Sequence, residues 1–217
     1  MTVIILIILF VALSTLSTFS DAAMTTESRQ TVTDRHNIYR SGLALGYGLN
    51  SDYTTYLPKG KNYYKLKYDL SLESVAQNWA NQCAFQHSSS PYGENLYKST
   101  ANMDPKAAVY DASYRWWKEF NDFGLNPNLN LTRQEFDKGI GHFTQMAWGK
   151  TTKIGCGHQW CVTSTGSFTF VVCNYDPPGN YINQFVYQAG NPCQVASDCT
   201  TYASSTCSAS EGLCVAP

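Results

Sequence analysis

Long apolar runs are scarce in this chain, and so are charged side chains. After the first twenty residues no apolar stretch approaches the roughly 20 residues that a membrane-spanning helix needs, so the remainder is expected to be soluble. Charged residues make up 14% of the sequence, the net charge is -1 and no block of like charge occurs. A protein that binds a phosphate backbone draws its affinity from clustered lysine and arginine, so nucleic acid is not an expected partner. No G-x-S-x-G elbow is present, which removes one route to a nucleophilic serine. The cysteine count is even, so no free thiol is expected and a thiol protease is disfavoured.

What is present begins with "MTVIILIILFVALSTLSTFS", which carries no charged side chain and runs apolar from Val3 to Leu13. That is the length of a signal-peptide hydrophobic region. The usual lysine or arginine before it is missing, and only the amino terminus supplies positive charge there. Small residues at Thr18, Ser20, Ala22 and Ala23 suit a cleavage site, so residues 1–20 are expected to be a signal peptide, with the cut between Ser20 and Ala23. All eight cysteines follow, at positions 83, 156, 161, 173, 193, 199, 207 and 214. An even set behind a secretory leader implies up to four disulfides and a secreted, extracellular protein. Asn130-Leu131-Thr132 is the only acceptor triplet for N-glycosylation, in a stretch that reads as an exposed loop.

Periodicity sorts the rest into helices and a small sheet. Val32, His36, Tyr39 and Leu43 recur at helical spacing over Thr31 to about Leu45, and Gly46 and Gly48 end that helix. The tyrosine-rich stretch to Tyr68 reads as irregular. A second helix starts at Ser71 as cap, with Leu70 and Val75 placed as a hydrophobic staple and a stripe of Leu72, Val75, Ala76, Trp79, Ala80 and Cys83. "FQHSSSPYGENLY" reads as a loop. Asp104-Pro105 supplies a cap and a first-turn proline for a helix to about Phe123. A short helix is expected near Arg133 to Lys138. Extended segments are then expected over His142 to Trp148, Lys153 to Val162 and Ser167 to Asn174, the last two joined by the turn "TSTG". Helices flanking a small, mostly antiparallel sheet give an α+β fold, a three-layer α/β/α sandwich. Residues 188–217 hold four cysteines and few large apolar side chains, and read as a disulfide-knotted tail.

Four histidines are candidates for chemistry. His36 sits mid-helix, where an ordinary hydrogen-bonded role fits best. His158 lies in "CGHQWC", which resembles a metal knuckle, but in a secreted chain bridged cysteines are the better reading. His87 and His142 fall at the edges of regular elements, where a rigid scaffold meets solvent. Glu94 and Glu119 are near the same rims. Two imidazoles and two carboxylates can hold a divalent transition metal or act as acid and base. Against this, Glu119 follows Arg115 by four residues and can be a surface ion pair. Spacing alone does not bring residues 87, 94, 119 and 142 together.

"GHFTQMAWGKT" at 141–151 and "FVVCNYDPPGNY" at 170–181 resemble the two long signatures of the CAP superfamily, which comprises cysteine-rich secretory proteins, antigen 5 and plant pathogenesis-related proteins of class 1. "HNIYR" at 36–40 and "GENL" at 93–96 resemble its shorter motifs, and the resemblance covers residues 31–187 as the CAP/SCP domain. The leader and tail are similar to nematode venom-allergen-like and activation-associated secreted proteins. The resemblance implies the family's α/β/α sandwich and a central cavity tetrad of His87, Glu94, Glu119 and His142, with His87 and His142 able to hold zinc or another divalent cation. It also implies disulfides Cys83–Cys161 and Cys156–Cys173, with the tail cysteines pairing among themselves, Cys193–Cys207 and Cys199–Cys214 being one arrangement. For function it implies a secreted, non-enzymatic protein that binds a sterol or fatty acid, an extracellular receptor, or both. Tyr110, Tyr114, Trp116, Trp117 and Phe120 can line a lipid groove, although core packing explains them equally well. The alternative is a metal-assisted hydrolase or protease using the same tetrad.

Overall fold

The computed structural model describes residues 23–217, so the expected leader and cleavage site lie outside the described residues. Helices α1 (Thr26–Ala44), α2 (Leu70–Ala80), α3 (Pro105–Phe123), α4 (Arg133–Phe136) and α5 (Gly141–Met146) surround eight strands. These are β1 (Gly60–Lys61), β2 (Lys67–Tyr68), β3 (Gly93–Ser99), β4 (Lys153–Thr163), β5 (Gly166–Asp176), β6 (Gln188–Ala189), β7 (Thr206–Ser208) and β8 (Leu213–Val215). The central sheet has the order β2-β4-β5-β3, with β2 parallel to β4 and the other pairs antiparallel.

Alternation along β4 and β5 makes the two faces. On one, Cys156, Val171, Cys173 and Tyr175 pack under Val32 of α1 and Ala108, Val109, Ala112 and Trp116 of α3. On the other, Cys161, Phe170 and Val172 meet Ala76 and Ala80 of α2. The approach of α2 is close because Gly155 and Gly157 have no side chain: a Cβ on Gly157 would lie 2.4 Å from the Gln77 Cα. The fold is thus the mixed three-layer sandwich that the sequence pattern implies.

Disulfides join Cys83 to Cys161, at a sequence separation of 78, and Cys156 to Cys173, at 17. The chain-entropy model assigns these about 4 to 5 and about 3 kcal/mol. In the tail, Cys193 pairs with Cys207 and Cys199 with Cys214. Crosslinks are not its only anchor, because Leu213 is fully buried in the core and Cys214 exchanges backbone hydrogen bonds with Tyr63 and Lys65, each 2.8 Å.

Several local expectations are corrected. Thr25, not a residue near Thr31, caps α1, its side chain accepting from the Ser28 N–H. Asp69 caps α2 by accepting from Ser71 and Leu72, and Leu70 is 63% exposed, so no staple forms. Inside "FQHSSSPYGENLY" the chain turns extended at Gly93, because β3 finds a full register with β5 from Gly93 opposite Tyr175 to Ser99 opposite Thr169. That long-range pairing has no local signal. The segment at His142 is helical, not extended. Phe143, Met146 and Ala147 are all buried at the i, i+3, i+4 spacing of a helix face, a pattern that a short run shares with strand alternation.

Arg40 organises the centre of the molecule. Fully buried, it donates to the backbone carbonyls of Tyr64, Met146, Trp148, Gly149 and Thr151 and lies 4.7 Å from the Tyr63 ring centroid. It therefore fixes α1 against the chain that leaves α5.

Candidate functional site

Glu119 lies on the last third of α3. Arg115 pairs with Asp111 at 2.8 Å, so the surface pair considered for Arg115 and Glu119 is not the one formed. Instead the Glu119 carboxylate accepts from the backbone N–H groups of His142 and Phe143, each 3.0 Å, and meets His142 Nδ1 at 2.5 Å. The residue before α5, Ile140, offers no side-chain cap, so Glu119 supplies from α3 the negative charge that a helix N-terminus favours. The imidazole of His142 also stacks over Trp116, with centroids 6.0 Å apart and planes at 17°.

His87 sits four residues beyond Cys83, which the disulfide fastens to β4. Its Nδ1 meets Glu94 Oε1 at 2.9 Å. The Glu94 side chain is 6% exposed and also accepts from the Ser88 N–H at 2.8 Å and the Ser88 hydroxyl at 2.6 Å. The hydrogen bond to Glu94 raises the His87 pKa above its ordinary value, outweighing partial burial. Burial pushes the Glu94 carboxyl up, but hydrogen bonds from His87 and Ser88 together overcome it and hold the group below the usual range.

Each imidazole is thus wired alike. A carboxylate only accepts hydrogen bonds, so Nδ1 carries the proton in the neutral ring and Nε2 keeps its lone pair. Neither Nε2 has a protein hydrogen-bond partner among the described residues. Glu119 and His142 line a cleft of about 480 Å³ together with Leu96, Lys98, Arg115 and Trp116. Among the described residues, the only three ligand atoms of His, Cys, Asp or Glu lying within 4.8 Å of one another belong to Cys193, Cys199 and Cys207. Those sulfurs are held in disulfides and are not thiolate ligands. The four candidate residues are therefore two histidine–carboxylate pairs and not a closed metal cage.

The other candidates have structural roles. His36 is fully buried, with Nδ1 2.7 Å from the Val32 carbonyl and Nε2 2.9 Å from the Tyr175 hydroxyl, and burial lowers its pKa to about 3. His158 is buried against the Met103 carbonyl at 2.9 Å, and its flanking Cys156 and Cys161 belong to two different disulfides. Asn130 is half-buried, its Oδ1 enclosed without a partner, and Thr132 of the same triplet caps α4.

Sequence reasoning passed over Asn95 and Asn174, and it sets Ser88 aside because adjacency to His87 says nothing of nucleophile and base geometry. Ser88 holds both oxygens' worth of Glu94, and Asn95 Nδ2 donates to the His142 carbonyl at 3.0 Å and to the Tyr175 hydroxyl at 3.2 Å. Asn174 Nδ2 reaches Glu94 Oε2 at 3.4 Å. Their signal was a pair of asparagines, each next to an apolar or aromatic run, in segments where asparagine is a poor strand former.

A disulfide-stapled α/β/α sandwich with two histidine–glutamate pairs near its sheet edge defines a recognisable class of scaffold. Its sequence profile, that of the cysteine-rich secretory protein family, CAP, matches residues 33–175, and the chain belongs to that family. The Ancylostoma secreted protein of Ancylostoma caninum is 40% identical over 211 residues, covering 91% of this chain and 46% of the relative, so the chain spans about half that protein's length. Venom allergen 5 of Dolichovespula arenaria is 33% identical over 171 residues, covering 76% of this chain and 82% of the allergen. Among solved structures, BmVAL-1 superposes with a TM-score of 0.81 at 36% identity, covering 91% of this chain and 98% of that one. NaASP2, solved with Zn2+, gives a TM-score of 0.78 at 35% identity, covering 88% and 96%. No described helix is long and apolar enough to cross a membrane.

Proposed function

We propose that this chain is a secreted, non-catalytic binding protein of the venom-allergen type that holds a divalent cation through His87 and His142. The observation that carries this reading is the shared wiring of the two imidazoles: Nδ1 of each is tied to a carboxylate and Nε2 of each is left with a lone pair and no protein partner. Metal-bound histidines are oriented in this way by outer carboxylates, which also raise ligand basicity. Imidazole nitrogen suits zinc and its first-row neighbours, and a relative at 35% identity was solved with Zn2+. Bound there, the cation would order the two elements that carry the histidines. The hydrolase alternative uses the same tetrad with a metal-bound water as nucleophile, and peptidase activity that survives His142→Ala would exclude it. Calorimetric titration with ZnCl2 tests the cation reading. One site lost in both His87→Ala and His142→Ala supports it, whereas a site that survives either change overturns the shared ligation.

A lipid role has its own support. A cleft of about 240 Å³ between α1 and α3 is lined by Tyr39, Leu43, Trp117 and Phe120, and Ile38 and Tyr47 beside it are 64% and 71% exposed. Apolar side chains displayed around a groove suit an acyl chain or sterol. Displacement of a fluorescent fatty acid, weakened by Trp117→Ala, is the expected result, and a sterol-binding assay without saturable uptake would remove the sterol half. Engagement of an extracellular receptor rests on the resemblance and is tested by binding of the purified chain to host cell surfaces. Glycosylation at Asn130 is proposed on its triplet and is read by a mass shift on enzymatic deglycosylation.

A further inference from the structure

A second constellation lies apart from the histidines, around Phe185. This ring is 60% exposed, whereas Val186 and Tyr187 beside it are 1% and 2% exposed, with Tyr187 stacked on Tyr63 at 5.0 Å. The segment is held from both sides. Leu131 N–H donates to the Gln184 carbonyl, Asn183 N–H to the Leu131 carbonyl, Val186 N–H to the Leu129 carbonyl and Gly149 N–H to the Val186 carbonyl, at 2.7 to 2.9 Å. Phe185 is thus displayed by a pinned backbone.

Two cavities, of about 210 and about 450 Å³, share Phe185 and Gln188. The first adds Asn183, Gln184 and Lys150, and the second adds Asn128 and Lys61. No carboxylate is among the lining residues of either. The Asn183 and Gln184 side chains have no protein hydrogen-bond partner, and neither Lys61 nor Lys150 is ion-paired among the described residues. Asn62, by contrast, spends its amide on Thr200 and donates at 3.4 Å to Gln188 Oε1. The site therefore offers one apolar plate, the two uncommitted amides of Asn183 and Gln184, the free side-chain NH2 group of Gln188 and two unpaired cations.

Each part narrows the ligand. A wholly apolar molecule would leave the amides without partners. A nucleic acid would demand more than two cations. A pyranose ring has an apolar C–H face for the Phe185 plate and hydroxyls that both donate and accept, as side-chain amides do. A carboxylate on that ring would take charge-assisted hydrogen bonds from a lysine. We propose that the cleft around Phe185 binds a carboxylated pyranose of a glycan, with Phe185 as stacking plate, Asn183, Gln184 and Gln188 as hydroxyl partners, and Lys150 or Lys61 on the carboxylate.

The test uses the full chain prepared without N-linked sugar, so that Asn130, whose backbone bridges to Phe185, contributes none of its own. It is titrated calorimetrically with a hyaluronan hexasaccharide, which carries glucuronic acid, with 3′-sialyllactose, and with chitohexaose as the uncharged control. Saturable binding of one acidic probe, about ten-fold or more tighter than chitohexaose, is expected. It should weaken about ten-fold in Phe185→Ala, a change at an exposed ring whose folding is checked by circular dichroism, and Lys150→Gln combined with Lys61→Gln should abolish the preference for acid. The hexasaccharide prevailing assigns a uronic acid, and sialyllactose prevailing assigns a sialic acid. Equal affinity for chitohexaose, binding untouched by Phe185→Ala, or binding of none of the three overturns the proposal.

Discussion

Glu119 grips His142 at two points, the backbone N–H at 3.0 Å and Nδ1 at 2.5 Å, so one carboxylate both caps α5 and sets the tautomer of the imidazole. Position and chemistry are therefore coupled through a single side chain. Glu119→Gln keeps an acceptor for the N–H groups but removes the charge that orients and enriches the ring. The expected outcome is a zinc affinity about 10- to 100-fold lower, measured by calorimetry, with the far-UV spectrum retained.

Proton competition should be visible at His87. Its pKa is raised in the folded chain, so the contribution of its pairing to stability is complete below the ordinary value of 6.5 and is lost as pH rises through the raised value. Glu94, whose pKa is lowered, contributes above its ordinary 4.5 and loses that contribution as pH falls through its lowered value. The two overlap between pH 4.5 and 6.5. The His87 side chain is 65% exposed, so solvent and salt screen the pair and its weight in stability is small. The readout is spectroscopic: an NMR titration of the metal-free chain should give His87 a midpoint above 6.5 that falls in Glu94→Gln.

Burial makes His36 the opposite case. Its folded pKa is about 3 against an ordinary 6.5, so between these values the unfolded chain binds a proton that the folded chain refuses. Stability therefore falls as pH drops below 6.5, by about 2 kcal/mol at pH 5 from this group alone. His36→Gln should lower stability at pH 7 yet reduce the further loss between pH 7 and pH 5 by about that amount, measured by urea denaturation. An unchanged loss would remove His36 as its source.

Legibility in the sequence followed the range of the interactions. Asp104 and Pro105 announced α3, and the alternation of β4 and β5 around "TSTG" announced their hairpin, because cap, proline and turn residues act on their own neighbours. β3 and α5 were missed for the opposite reason. Gly93 to Ser99 is extended because β5 lies beside it, and His142 enters a helix whose cap comes from Glu119, 23 residues earlier. The pairing of His87 with Glu94 spans a turn of seven residues and still gave no sign, since "GEN" reads as a loop. Rim positions singled out the four residues and motif likeness grouped them as one tetrad; only the fold arranges them as two pairs.

Arg40 offers the sharpest test of how the scaffold serves the site. Burial lowers its pKa to about 10, so it remains charged at neutral pH, and five backbone carbonyls take the place of a counter-ion. Lysine has three donors on a flexible stem against the five of a rigid guanidinium, so Arg40→Lys leaves carbonyls of the 146–151 segment without partners. A loss of about 3 kcal/mol or more is expected in urea denaturation, in the range for breaking a buried charged network, and Arg40→Met should cost more because the Tyr64, Met146 and Thr151 carbonyls are then orphaned, while Trp148 and Gly149 keep the N–H groups of Thr151 and Tyr64. The same carbonyls belong to the chain that leaves α5, so Arg40→Lys should also weaken zinc binding although it touches neither histidine. Full zinc affinity in a destabilised Arg40→Lys protein would mean that α5 is held in place without Arg40, by Glu119 and the Asn95 bond to the His142 carbonyl.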